Sequence, residues 1–81
     1  MKKTYQVQVK MMNENYEEWY LRDQFNELNE DNLMLFDDEV NYQKRTKNDI
    51  TAQHCSVVLV EVILEDDEEI EWNILKEENI K

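Results

Sequence analysis

Eighty-one residues make a single domain, and a chain of this length buries only roughly 60–65% of the surface its unfolded form exposes. Twenty Asp and Glu against nine Lys and Arg leave a formal charge of −11, beyond the magnitude of roughly 2 to 8 that suits a small domain. That excess excludes a direct DNA or RNA binder, which needs cations to displace counterions from phosphate, and it disfavours anionic membrane surfaces.

The rest of the composition is that of a folded protein. Hydrophobic residues make up 41% of the chain, and two Trp, four Tyr and two Phe supply bulk for a thin core. Glycine and proline are absent. Phosphate-cradling glycine loops and the EF-hand loop are therefore ruled out, and turns fall to Asn and Asp, which tolerate left-handed backbone better than other residues with a side chain.

In chain order, residues 4–12 alternate, with Tyr5, Val7, Val9 and Met11 on one face and Gln6, Gln8 and Lys10 on the other. This is the pattern of a half-buried strand. Asn15 followed by Glu18 has capping-box spacing and predicts a helix over about 15–29. The short apolar run Leu33–Phe36 predicts a buried strand, and the alternation of Val40, Tyr42 and Lys44 predicts a strand over 40–46 that pairs back across an acidic turn. Residues 54–64 carry β-branched side chains on both faces and predict a central strand. An acidic turn over Glu65–Glu69 leads to a last strand marked by Ile70, Trp72 and Ile74, and residues 76–81 are expected to fray. The predicted fold is α+β: one helix on a mainly antiparallel sheet of four to five strands, in the order β-α-β-β-β-β. Nothing divides 1–81 into a second domain.

Catalytic constellations are lacking. The single His and single Cys are neighbours, His54 and Cys55, and adjacent side chains on a strand point to opposite faces. They are expected as a strand-end residue and a small buried hydrophobe. The sole serine, Ser56, has only His54 in the chain as a candidate base. No Cys/His zinc site can be assembled. The acidic stretches Asp37–Glu39 and Glu65–Glu69 have no defined ligand spacing, and a glycosidase-type carboxylate pair needs a cleft with one raised pKa, for which so small a domain has little room. The expectation is a protein that is not an enzyme and uses no metal or other cofactor. One cysteine and the lack of an apolar h-region after Met1 point to the cytoplasm.

Charge is segregated along the chain, in blocks of net +3 (1–10), −9 (11–43), +2 (44–60) and −7 (61–81). On a helix over 15–29, Leu21, Phe25 and Leu28 would form the core stripe. Asp23, Glu27 and Glu30 would then lie opposite, interleaved with Tyr16, Trp19 and Tyr20. The three carboxylates would be spaced by about 6 and 4.5 Å along the axis, comparable with phosphates on a nucleic-acid strand. Exposed Trp and Tyr are characteristic of interfaces. Acidic runs also serve as a plain solvated face, and the three aromatics also suit a homodimer seam, which would double the acidic surface.

In size, acidity and this expected carboxylate–aromatic face, the chain resembles the small DNA-mimic proteins that bacteriophages encode against host factors. That group includes inhibitors of restriction enzymes, CRISPR nucleases, uracil-DNA glycosylase, sliding clamps and the nucleoid protein HU. The resemblance covers overall charge and segments 14–39 and 61–71 without a shared motif, and the group has no common fold. It implies an inhibitor that occupies the nucleic-acid-binding surface of a basic host protein in the host cytoplasm. The candidate contact residues are Asp23, Glu27, Glu30, Asp31, Asp37, Asp38, Glu39, Glu65, Asp66, Asp67, Glu68, Glu69 and Glu71, with Tyr16, Trp19 and Tyr20 as short-range anchors. The alternative is a structural or accessory interaction module, such as a homodimeric subunit or an antitoxin for a basic toxin.

Overall fold

A computed structural model describes all residues 1–81. Strand β1 (Lys2–Asn13) turns at Glu14–Asn15 into β2 (Tyr16–Phe25); helix α1 (Glu30–Thr46) and a short 3₁₀ turn (Lys47–Asp49) follow, then β3 (His54–Glu65) and β4 (Glu68–Asn79). The strands form one antiparallel sheet in the order β2-β1-β3-β4, covered by the helix on one face. One helix on a four-stranded antiparallel sheet is thus the architecture. The chain order is β-β-α-β-β, and there is no fifth strand.

The predicted helix over 15–29 is an edge strand. Its aromatics Tyr16, Trp19, Tyr20 and Phe25 suit a pleated surface, and β1 supplies the ladder from Asn13↔Tyr16 to Tyr5↔Phe25. Conversely, the strands predicted over 33–36 and 40–46 are consecutive turns of α1. Their local alternation loses to a cap and a stripe. The Asn29 side chain accepts from the Asn32 backbone N–H at 2.8 Å, and the Asn32 amide reaches back to the Glu27 carbonyl at 2.8 Å. Glu30 and Asp31 sit in the first turn and Lys44 and Arg45 in the last, each matched to the helix dipole. Phe36, Val40 and Gln43 then fall on one buried face.

That face meets the odd-numbered residues of the central strands. Val7, Val9, Cys55, Val57 and Leu59 close with Phe36 and Val40 into the main core, flanked by Met11, Phe25, Ile50 and Ile80. The tail expected to fray is held. Residues 76–79 pair within β4, and Ile80 and Lys81 exchange backbone hydrogen bonds with Cys55.

The other face of the sheet has no helix, yet Val58, Val60 and Val62 are fully buried there. Trp19 from one edge strand and Trp72 from the other meet edge-to-face at 6.3 Å between ring centroids. In register Trp19 lies level with Ser56 and Trp72 with Val62. Rings that start six residues apart can meet only if the sheet coils. Bulges sharpen twist, and both edge strands carry them, at Arg22 in β2 and at Ile70 and Leu75 in β4.

Candidate functional site

The β3–β4 connection is a two-residue hairpin closed by the pair Glu65↔Glu68. Its central residues Asp66 and Asp67 have φ of 51° and 63°. Positive φ at both positions is the geometry that matches strand twist, and Asn-Gly normally fills it. Here two aspartates hold it, so five consecutive carboxylates, Glu65 to Glu69, project from one tip.

Other acids gather at the same end of the molecule. Lys2 pairs with Leu64 and Tyr5 with both Glu61 and Phe25, so the hairpin tip, the start of β1, the end of β2 and the start of α1 share a pole. Contacts of Asp37 with Lys76 and Lys44 with Glu78 fix the direction of the helix. A cut level with Val7 and Leu59 divides the molecule into residues 1–7, 22–38 and 59–76 on one side and the remainder on the other. The first half holds thirteen acids and four cations, net −9; the second holds seven acids and five cations, net −2. Of the thirteen acids, only Asp37 and Glu61 have a cation partner, Lys76 and Lys3, each at 3.9 Å. The other eleven are Asp23, Glu27, Glu30, Asp31, Asp38, Glu65, Asp66, Asp67, Glu68, Glu69 and Glu71, and none is ion-paired within the chain. All are exposed except Asp23, which is half-buried.

Twelve of the thirteen acids singled out from the sequence thus share one half of the molecule. Glu39 does not act with them. It is 8% exposed and accepts from Arg22 Nε at 3.1 Å and Gln43 Nε2 at 2.7 Å. It is a structural group, and the bulge at Arg22 is what turns that guanidinium towards the helix.

The expected face of three carboxylates and three aromatics does not form, because a strand separates what a helix would have combined. Tyr16 and Tyr20 lie on the helix side of β2, where Tyr20 donates to Glu18; that hydrogen bond, with burial adding to it, raises the phenol pKa. Trp19 lies on the opposite face and donates from Nε1 to Glu17 at 2.6 Å. Trp72 does the same to Glu69 at 3.2 Å. The aromatic element of the helix-free face is therefore this pair of edge-strand tryptophans, while Tyr5 and Phe25 stack on the helix side. The sequence signal that could have found it is the apolar second face of β3, which needs a cover.

At the near-neutral end, Ser56 donates to Glu77 at 2.8 Å and Lys10 reaches the same carboxylate at 3.0 Å. These hydrogen bonds, the one from Ser56 first, hold the Glu77 carboxyl below the usual range against a smaller opposing effect of burial. The Lys10 ammonium also sits 5.5 Å from the centroid of Trp19. Ser56 is thereby committed to Glu77, while His54 is exposed at the strand end. Cys55 points to the opposite face and is buried, which pushes its thiol pKa up. No three His, Cys, Asp or Glu side chains converge on a common point, and no helix is long and apolar enough to cross a membrane.

Comparison with protein-family models, curated proteins and solved structures finds no match to this chain.

Proposed function

We propose that this chain is a DNA-mimic inhibitor of the kind bacteriophages encode, which binds the nucleic-acid-binding surface of a basic host protein and blocks its access to DNA. The observation that carries the reading is the acidic half: net −9, with eleven carboxylates free of internal cation partners. Unpaired carboxylates are available for charge-assisted hydrogen bonds to Lys and Arg. A one-sided field of this size also steers a basic partner onto one end of the molecule. The contact surface is the hairpin tip Glu65–Glu69 with Glu71, joined by Glu27 just before α1 and by Glu30, Asp31 and Asp38 in its first half. It replaces the helix face expected from the sequence.

The test has three parts. The tagged chain is used to capture proteins from a bacterial lysate at low salt. Proteins eluted by high salt are assayed for duplex-DNA binding by gel shift, with and without added chain. The same is done with the triple reversal Asp66→Lys, Asp67→Lys and Glu69→Lys. The expected result is a DNA-binding target whose shifted band disappears with the wild-type chain and persists with the reversal. A captured partner that duplex DNA cannot displace would sink the mimic reading and leave an accessory subunit or antitoxin.

A further inference from the structure

We propose that two copies of this chain associate through the helix-free face of the sheet. The inference stands on its own and does not require the acidic pole to be a binding site. Strand alternation places Trp19, Leu21, Leu64, Trp72 and Ile74 on that face, together with the fully buried Val58, Val60 and Val62. Leu21 and Ile74 are each 55% exposed and Trp72 is 45% exposed. The valines beneath are as buried as those under the helix, so what remains exposed on this face is the layer of side chains that covers them.

Charge decides what can cover this face. The acids of α1 and of the loop before it lie on the helix layer, and Asp23, Glu61 and Glu78 pair in register with helix-side residues of the sheet. On the open face, Glu77 is neutralised by Lys10, and Glu17 and Glu69 are each engaged by a tryptophan indole N–H. A chain of net charge −11 has one broad surface on which a second copy can approach without facing rows of carboxylates, and this is it. A basic partner, by contrast, would find its counter-charges on the helix layer and the hairpin tip.

Size permits it as well. The whole molecule extends 40 × 31 × 15 Å, so its broad side projects to at most about 1,200 Å², which leaves room for the roughly 800 Å² that each partner of a standard interface buries. A two-fold arrangement with the acidic halves at opposite ends keeps the like charges furthest apart. It leaves an acidic pole at each end of the dimer.

Sedimentation velocity over a micromolar to millimolar series, at low and high salt, tests the proposal. Wild type should sediment with twice the 10.0 kDa mass of the chain. Salt should strengthen the association by screening like charges, opposite in sign to its effect on capture of a basic partner. The pair Leu21→Lys and Ile74→Lys should return it to monomer with unchanged circular dichroism, whereas Met34→Lys, on the outer face of the helix, should leave the dimer intact. Should the lysine pair fail to fold, acrylamide quenching of wild-type tryptophan fluorescence decides: quenching should rise on dilution as Trp72 is uncovered. A wild-type chain that stays monomeric throughout the series in both salts, a folded lysine pair that still dimerises, or quenching that does not change on dilution overturns the proposal.

Discussion

Replacing Asp66–Asp67 by Asn–Gly should stabilise the fold and weaken binding to a basic partner in the same variant. Both aspartates hold left-handed backbone, with φ of 51° and 63°. That conformation costs an ordinary residue roughly 1–2 kcal/mol, and Asp somewhat less because its short side chain bonds locally. Glycine removes the steric cost and gives back part of it through the entropy of a freer unfolded chain. About 0.5–1 kcal/mol of net relief is therefore expected from the backbone. The same exchange removes two of five consecutive carboxylates. A pair of carboxylates about 6 Å apart repels by roughly 0.7 kcal/mol in water before screening, so several such pairs add about 1 kcal/mol at low salt and less at high salt. A total gain of about 1–2 kcal/mol corresponds to a rise in Tm of roughly 5–15 °C for a domain of this size. Thermal unfolding followed by circular dichroism at low and high salt separates the two contributions, since only the charge part shrinks with salt. An unchanged or lowered Tm at low salt would refute the assignment of strain and repulsion to this turn. A stabilised variant that captures the partner as well as wild type would show that the tip is not part of the contact surface.

Three further outcomes follow from the packing. The Trp19–Trp72 contact at 6.3 Å should give a coupling of about 0.5–1.5 kcal/mol in a double-mutant cycle of the two alanine variants measured by urea unfolding; strict additivity would mean the two rings cover the valines independently. Arg22→Ala leaves Glu39 buried with Gln43 as its remaining partner, and because Arg22 is itself exposed the loss should be about 1–2 kcal/mol, well below the roughly 3–5 of a fully buried pair; Arg22→Lys should recover part of it, and no loss at all would remove Glu39 from the structural role given to it. Cys55, whose thiol is pushed up by burial, retains its proton in the folded state where the unfolded chain ionises, so its contribution is complete below the unfolded thiol pKa of about 8.5 and fades as pH rises through the higher folded value; a thiol reagent at pH 8 should react only as fast as the chain opens, and rapid stoichiometric reaction with the native protein would contradict the buried placement.

The central strands were legible because their signals are local and strong. Residues 4–12 alternate, and 54–64 carry β-branched side chains on both faces, so β1 and β3 emerge within one or two residues of their observed ends. The acidic turn and the Ile70, Trp72, Ile74 alternation were legible for the same reason. The two segments between them were exchanged, helix for strand. In 16–25, Glu and Leu carry helix propensity, and Leu21, Phe25 and Leu28 recur at helical spacing. What selects the strand is the ladder to β1, a long-range partner that no window contains. In 30–46 the short run Leu33–Phe36 looked like a strand core, while the Asn29 cap, the acidic first turn and the basic last turn were the signals that pointed to a helix.

The exchange reshaped the candidate site. Every acid singled out except Glu39 still falls in one half of the molecule, because blockwise charge along the chain survives folding when the blocks meet at one end of a hairpin sheet. The aromatics did not stay with them, since a period of two sends Trp19 to one face and Tyr16 and Tyr20 to the other. The sequence by itself determines that this chain carries far more negative charge than folding needs, that its turns are made without Gly or Pro, and that the apolar residues on both faces of β3 need cover. Only the tertiary structure decides which carboxylates are paired with internal cations and which remain unpaired. It also decides that two tryptophans from opposite edges close the second face, because both facts depend on strand order and register, and those are set by pairings between residues far apart in the chain.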